Sequence, residues 1–408
     1  MKKTVRPRRL MLVIASLLLS GVAVMSSFSL QAQPEPARGV AMKLPGARPV
    51  IDASQYGSIQ AALDAVPPEG GVVRLPAGTF EIEQPLVLRT GDTLLQGVGA
   101  ATHIVNRNQT GEPALIVQHR LGMKVAREDR LWRVMLSNLR ITGNPQSGHG
   151  ILAELIEEIF IQGVTVSYHG GDGIRLDHCY EDPRVSDCLL TYNKGVGLNL
   201  LGCHDIVVSA NQFEENQDAV HCFDGFNLCM NGNCVDDHLG HGVVIENTYG
   251  SVVAGNMIEE CQGAALIMDR DCYGNTVSAN VIAHNGQGVV LRDAHGCAVS
   301  ANTFTIMKED ALRIDSTSGR ITVAGNNFSN SFIGEDSVKR QKNDLAAAGM
   351  TIDRAQDVVI TGNLFSSVQP KAIAATDARR ISMTGNVLTD VESDHSQFTQ
   401  SAAAGNVK

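Results

Sequence analysis

The sequence predicts an all-β fold in which one chain coils through short parallel strands, a parallel β-helix. Three observations predict it. An asparagine, or a small or acidic stand-in, recurs at Asn138, Gly163, Asp187, Asn211, Asn233, Asn256, Asn280, Asn302, Asn326, Asn363 and Asn386, in steps of 22 to 25 residues with a single step of 37. An apolar residue lies two positions after most of them and another usually three before, as Ile258 and Val253 do around Asn256, which is the period of strands and not of helices. A second apolar strand then follows a small residue in each unit: "GIRLD", "GLNLL", "AVHCF", "GVVIE", "GVVLR", "ALRID", "GMTID". A fixed period of this length, built of short strands and Gly/Asn turns, is the mark of a solenoid. A leucine-rich horseshoe has a similar period but needs a dense leucine pattern that is absent.

Taken in order, the chain opens with Lys2, Lys3, Arg6, Arg8 and Arg9, then an uncharged apolar stretch from Leu10 to Val24 and the small, polar "SLQAQ". Residues 1–32 are expected to be a secretory signal cleaved after Ala32, which makes the mature chain secreted or periplasmic; the apolar stretch is short for a membrane span. Residues 33–48 are rich in Pro, Gly and Ala and read as a flexible linker. Residues 49–133 read as an N-terminal cap and the first rungs. Within them "SIQAALDAV" carries an N-cap serine, Ser58, and a helical apolar stripe of Ile59, Ala62, Leu63 and Val66, stopped by Pro67 and Pro68. A capping helix is expected there because a solenoid end otherwise exposes unpaired strand edges. Residues 134–390 are the repeats, with Asn211 to Asn386 stacked inside as a ladder. The 37-residue step holds the charged "GEDSVKRQKNDLA" (Gly334 to Ala346), expected to loop out, and 391–408 read as a flexible tail.

With 33 basic and 43 acidic residues the chain carries a formal charge of −10, and loss of the signal brings it to about −15. Nucleic acid is excluded as a partner on that balance. An anionic polymer needs a locally basic groove or a bridging cation such as Ca²⁺. Nine cysteines, an odd number, match no small disulfide scaffold.

"YGSIQAALDAVPPEGGVVRLPAGTFEIEQPLVLRTGDTLLQGVG" (Tyr56 to Gly99) resembles the N-terminal capping segment of the pectate lyase-like superfamily of right-handed parallel β-helix proteins. The resemblance, running over about 49–390, implies a right-handed coil. It also implies a sugar chain lying in a groove along one sheet, with members that are lyases, hydrolases, esterases, epimerases or non-catalytic.

The outward positions of the second strands are therefore the place to look. One column is expected to read Arg175, Asn199, His221, Val244, Leu266, Val290, Arg313, and the next Asp177, Leu201, Phe223, Glu246, Met268, Arg292, Asp315, with Asp172, Lys194, Asp218 and His241 just before the strands. Ionisable groups gather on the rungs from 172 to 247, where "NGNCVDDHLGHGVVIENTYG" (Asn231 to Gly250) forms one unit. Polygalacturonases place paired aspartates on one rung and "GHG" on a following one. Here "GHG" stands at Gly240 to Gly242 and Asp218 matches the second aspartate, but Gln217 replaces the first and no "RIK" follows; the "DPH" of mannuronan epimerases and the "GRPW" of esterases are absent.

β-Elimination of a uronate asks for less: a base for the proton beside the carboxylate and a cation or donors for the enolate charge. His221, His241 and Asp218 are the candidate catalytic residues, with either histidine as base. Arg175, Lys194, Asn199 and Asp177 are the candidate substrate ligands, and Asp237, Asp224 and Glu246 the candidate Ca²⁺ ligands. The expected function is cleavage of an acidic polysaccharide by a monomeric, non-membrane protein. The alternatives are a non-catalytic glycan-binding or structural β-helix, or a glycoside hydrolase or uronate epimerase. Turn aspartates that bond their own backbone and histidines that merely cap a turn are the competing structural readings.

Overall fold

The computed structural model describes residues 44–315, 317–329, 348–393 and 397–408. The expected signal, most of the linker and the 334–346 insertion lie outside the described residues. From Arg48 onward the chain winds as a solenoid of parallel strands. Twelve of them, from Leu86–Leu88 to Ile373–Thr376, pair in sequence order as one sheet, and the remaining paired strands form a second, continuous 29-stranded sheet. Neighbouring rungs pair in parallel throughout, as Asn199 with His221 and His221 with Val244.

The N-terminal cap forms as the sequence predicts. Helix α1 (Ile59–Asp64) begins at Ser58, whose Oγ accepts the Ala61 N–H at 3.1 Å, and buries Ile59, Ala62 and Leu63. Gln60 completes the seal, because its amide accepts from Val87 N at 2.8 Å and donates to Val87 O at 3.1 Å. It pairs with the first strand of the smaller sheet as a neighbouring strand would, which satisfies an otherwise open edge.

Inside the coil, ladder asparagines from Asn211 to Asn386 are at most 3% exposed. From Asn233 on, each Oδ1 accepts both the backbone N–H and the Nδ2–H of the asparagine one rung earlier, at 2.9–3.0 Å, as Asn280 does for Asn256. Asn211 Oδ1 accepts the N–H of Cys188 at 3.0 Å, because Cys188 holds that inward position and the expected Asp187, one residue earlier, is exposed. The free Nδ2 proton goes to a carbonyl of the rung before, as Asn280 Nδ2 to Val253 O. The residue before each ladder asparagine has positive φ (Ala210 55°, Gly232 64°, Gly255 68°), the left-handed bend that swings the asparagine inward. Apolar residues fill the rest: Val235, Ile258 and Ile282 are fully buried, and Phe304, Phe328 and Phe365 stack at 4.7 Å.

Two expectations are corrected. The coil continues past 390, since Phe398–Thr399 and Ala402–Ala404 pair with Ala378–Thr384 and Asn406 accepts from Asn386 Nδ2 at 2.9 Å. The small, polar composition of that segment hides a rung whose asparagine stands only 20 residues after Asn386. The outward column also reads Ile267 and Asp269 in place of Leu266 and Met268, which pair with the inward Val243 and Ile245 and are fully buried. No helix among the described residues is long and apolar enough to cross a membrane.

Candidate functional site

The register sets the outward side chains of the twelve-stranded sheet in three columns. Entering each strand stand His149, Asp172, Val196, Asp218, His241 and Ala264. Mid-strand stand Leu152, Arg175, Asn199, His221, Val244, Ile267, Val290 and Arg313. Leaving it stand Glu154, Asp177, Leu201, Phe223, Glu246 and Asp269.

The entering column is stitched along the axis. Asp172 Oδ1 accepts the Val196 N–H at 2.9 Å, Asp218 Oδ1 accepts the His241 N–H, and His149 and His241 each accept through Nδ1, from Asp172 N and Ala264 N, both at 2.9 Å. Glycine is required one step earlier on the receiving rungs: a Cβ at Gly195 or Gly240 would collide with the Asp172 or Asp218 carboxylate.

Asp218 and His221 form a dyad, with His221 Nε2 2.9 Å from Asp218 Oδ2. A carboxylate accepts, so Nε2 carries the proton and Nδ1 the lone pair. The His221 side chain is 33% exposed, whereas that of Asp218 is 11% exposed, so the histidine faces solvent and the aspartate is largely buried beneath it. Burial alone would raise the Asp218 carboxyl, but the His221 and His241 hydrogen bonds outweigh it and hold it below the ordinary range. Asp218 is thus an ionised partner with both oxygens engaged, not a proton donor.

His241 is corrected from candidate base to donor. Its Nδ1 is occupied by the Ala264 N–H, so the neutral ring carries its proton on Nε2. Burial, more than the opposing pull of Asp218, lowers its pKa and keeps it neutral. His149 is its counterpart in a second "GHG" (Gly148 to Gly150) that the sequence reading passed over although the motif is the same.

Arg175 reaches out between Asp172 (3.8 Å) and Asp177 (3.7 Å), loosely enough to leave its N–H groups available. Asn199 donates to Asp172 Oδ2 at 2.9 Å, and its Oδ1 is buried without a partner. Asp177 is held by His178 at 2.5 Å. Lys194 is exposed in the turn and does not share the entering column, where Val196 pairs with Asp218.

The expected cation ligands do not converge. Asp224 accepts from Asn247 and Glu246 pairs with Arg270 at 3.1 Å where the strands leave the sheet, while Asp237 lies in the turn that enters it. Asp237 instead joins Asp236 and Glu260, with ligand oxygens all within 4.8 Å. Burial, then Glu259, Asp237 and Glu260, push the Asp236 carboxyl up to about 6. Cys179 and Cys203 are buried and unpaired, as is Cys222.

A model of "Right handed beta helix region" matches residues 115–250. With the coil of parallel strands, the match identifies the fold as a right-handed parallel β-helix. A model described as "Periplasmic copper-binding protein (NosD)" also matches this β-helix, over residues 194–345. Among solved structures, the A-module of mannuronan C-5 epimerase AlgE6 from Azotobacter vinelandii is similar, with TM-score 0.61 and 16% identity over 87% of this chain and 98% of that one. A Family 28 exopolygalacturonase of Yersinia enterocolitica gives 0.56 and 14% over 88% and 78%. The pre-mature gene product 12 of bacteriophage phi29 gives 0.62 and 13% over 84% and 57%. No curated protein matches the β-helix sequence. Copper centres draw on thiolate, thioether and imidazole donors. Among the described residues the group of three His, Cys, Asp or Glu side chains whose ligand atoms converge is all carboxylate, a hard-cation donor set, so that group does not fit a copper centre.

Proposed function

We propose that this β-helix acts on a uronate-containing polysaccharide lying along the twelve-stranded sheet, and cleaves it by β-elimination. The observation that carries this reading is the Asp218–His221 dyad, with His221 on the outer face of the sheet two rungs, roughly 10 Å, from Arg175 and its Nε2 rather than its Nδ1 turned to Asp218. Arg175 binds the carboxylate of the reacting sugar, aided by Asn199. His221 Nδ1 takes the proton from the carbon beside that carboxylate, and Asp218 stabilises the imidazolium. The electron pair moves into a new carbon–carbon double bond as the glycosidic C–O bond breaks, and His221 returns the proton to the departing oxygen. His241 Nε2–H donates a hydrogen bond to the developing oxyanion. Hydrolysis by two carboxylates is less well supported, because Asp218 is ionised with both oxygens held.

The test is incubation with a panel of uronate polysaccharides, with and without Ca²⁺, read by the ultraviolet absorbance of unsaturated ends and by a reducing-end assay. Both signals are expected together. Reducing ends without absorbance would mean hydrolysis, and neither signal but a changed sugar configuration would mean epimerisation, which begins with the same proton abstraction. Binding without chemistry would leave the groove and remove the enzyme.

A further inference from the structure

The segment "DGIRLD" (Asp172–Asp177) beside the dyad has a counterpart, "DALRID" (Asp310–Asp315), on the same three columns. Between Arg175 and Arg313 the mid-strand column passes Asn199, His221, Val244, Ile267 and Val290, so the two lie six rungs, roughly 29 Å, apart along one face. The likeness extends to the next rung. Asp172 accepts from Asn199 Nδ2 at 2.9 Å and Asp310 from Thr351 Oγ1 at 2.6 Å, and Asn199 and Thr351 each pair with the arginine of their own segment.

The arginines differ in how they are held. Arg175 stands 3.7–3.8 Å from its aspartates, while Arg313 Nε lies 2.8 Å from Asp315 and Nη1 3.3 Å from Asp310. The distal arginine is therefore neutralised and fixed, and borders an open pocket of about 300 Å³ shared with Asp269, Arg292, Asp353 and Arg354. Such a wall offers no net attraction for an anion. It offers guanidinium donors beside carboxylate acceptors, the arrangement that matches adjacent hydroxyls, each of which both accepts and donates. Between the two sites Ile267 and Val290 form, with Ala264, a small apolar patch outside the main core, a floor suited to the carbon face of sugar rings.

We infer that Asp310, Arg313 and Asp315 form a distal subsite that holds a sugar unit by its hydroxyls, on the same glycan whose uronate lies at Arg175 and His221. The inference rests on the groove reading above. A chain that spans both sites gains binding energy far from the reacting bond, and an oligomer too short to span gains none.

The experiment compares Arg313→Gln and Arg313→Lys with the wild type on a long uronate polymer and on a trisaccharide of the same sugar, with affinity electrophoresis on the polymer in parallel. Both variants are expected to raise KM for the polymer about tenfold, and to leave the trisaccharide KM and both kcat values where they were. Equal effects on both substrates, or none on either, would overturn the subsite while leaving the elimination reading intact. If the wild type cuts neither substrate but binds the polymer, and the variants bind it more weakly, the subsite stands and the elimination reading falls. If the wild type neither cuts nor binds, both fall. Arg313→Lys keeps the charge and loses only the fork, so it still reports should Arg313→Gln lower the thermal midpoint.

Discussion

At His221 the two ring nitrogens have different fates, and that difference sets what substitutions do. His221→Ala removes the base and should cost at least about a hundredfold in kcat with little change in thermal midpoint, since the ring is partly exposed. Asp218→Ala should lower both activity and midpoint, because its carboxylate also holds the His241 N–H; a purely catalytic aspartate would leave the midpoint alone. Asp236 makes a prediction of opposite character. Its folded pKa, about 6, lies above the ordinary 3.8, so the folded state is favoured at low pH and loses that advantage as pH rises through 6. Asp236→Asn should therefore raise the midpoint at pH 7 and leave it nearly unchanged at pH 4, as thermal scans at the two pH values would show. The residue types of the site were legible in the sequence, since Asp218, His221 and Arg175 fall where the repeat points them. Their protonation was not, because it depends on which backbone N–H of the next rung each side chain meets, and that is a matter of register.

At the level of the rung, the period gave away nearly everything that repeats. The strands, the ladder from Asn211 to Asn386 and the cap were all readable because each is a local pattern copied along the chain. A second inner column was not read: Asn193, Asn216, His238, Cys261 and Asn285, in which Asn193 donates to Asn216 at 2.9 Å. It mixes residue types, so spacing alone did not expose it. Where the column is asparagine it is satisfied, and where it is histidine it is not: His238 Nε2 is buried without a partner, as is His169 Nε2. Rungs also differ in what a lost side chain leaves behind. Asn280→Ala should cost on the order of 1 to 3 kcal/mol, measured by chemical denaturation, because buried donors are orphaned in a site water cannot reach.

For the whole molecule those two histidines set the acid limit. Burial lowers each to about 4 from the ordinary 6.5. A depressed histidine contributes stability that is fully present above the unfolded pKa and is lost as pH falls through 6.5 toward 4, by about 3 kcal/mol each at the lower end. Denaturation midpoints should accordingly fall between pH 6.5 and 4, and His238→Asn, which restores the column's majority residue, should flatten that fall. The asparagine ladder imposes a polarity on the coil as well. Every amide from Asn211 to Asn386 points one Nδ2 proton toward the later rung's asparagine and its oxygen toward the earlier rung, so the asparagine-to-asparagine bonds all run in one direction along the axis. Removing one link then injures its two neighbours unequally. Without Asn280, Asn256 loses the acceptor for both its backbone and side-chain N–H, whereas the N–H of Asn302 keeps its bond to Asn326. Hydrogen exchange in Asn280→Ala should quicken at Asn256 and not at Asn302, a wound that spreads only toward the N-terminus.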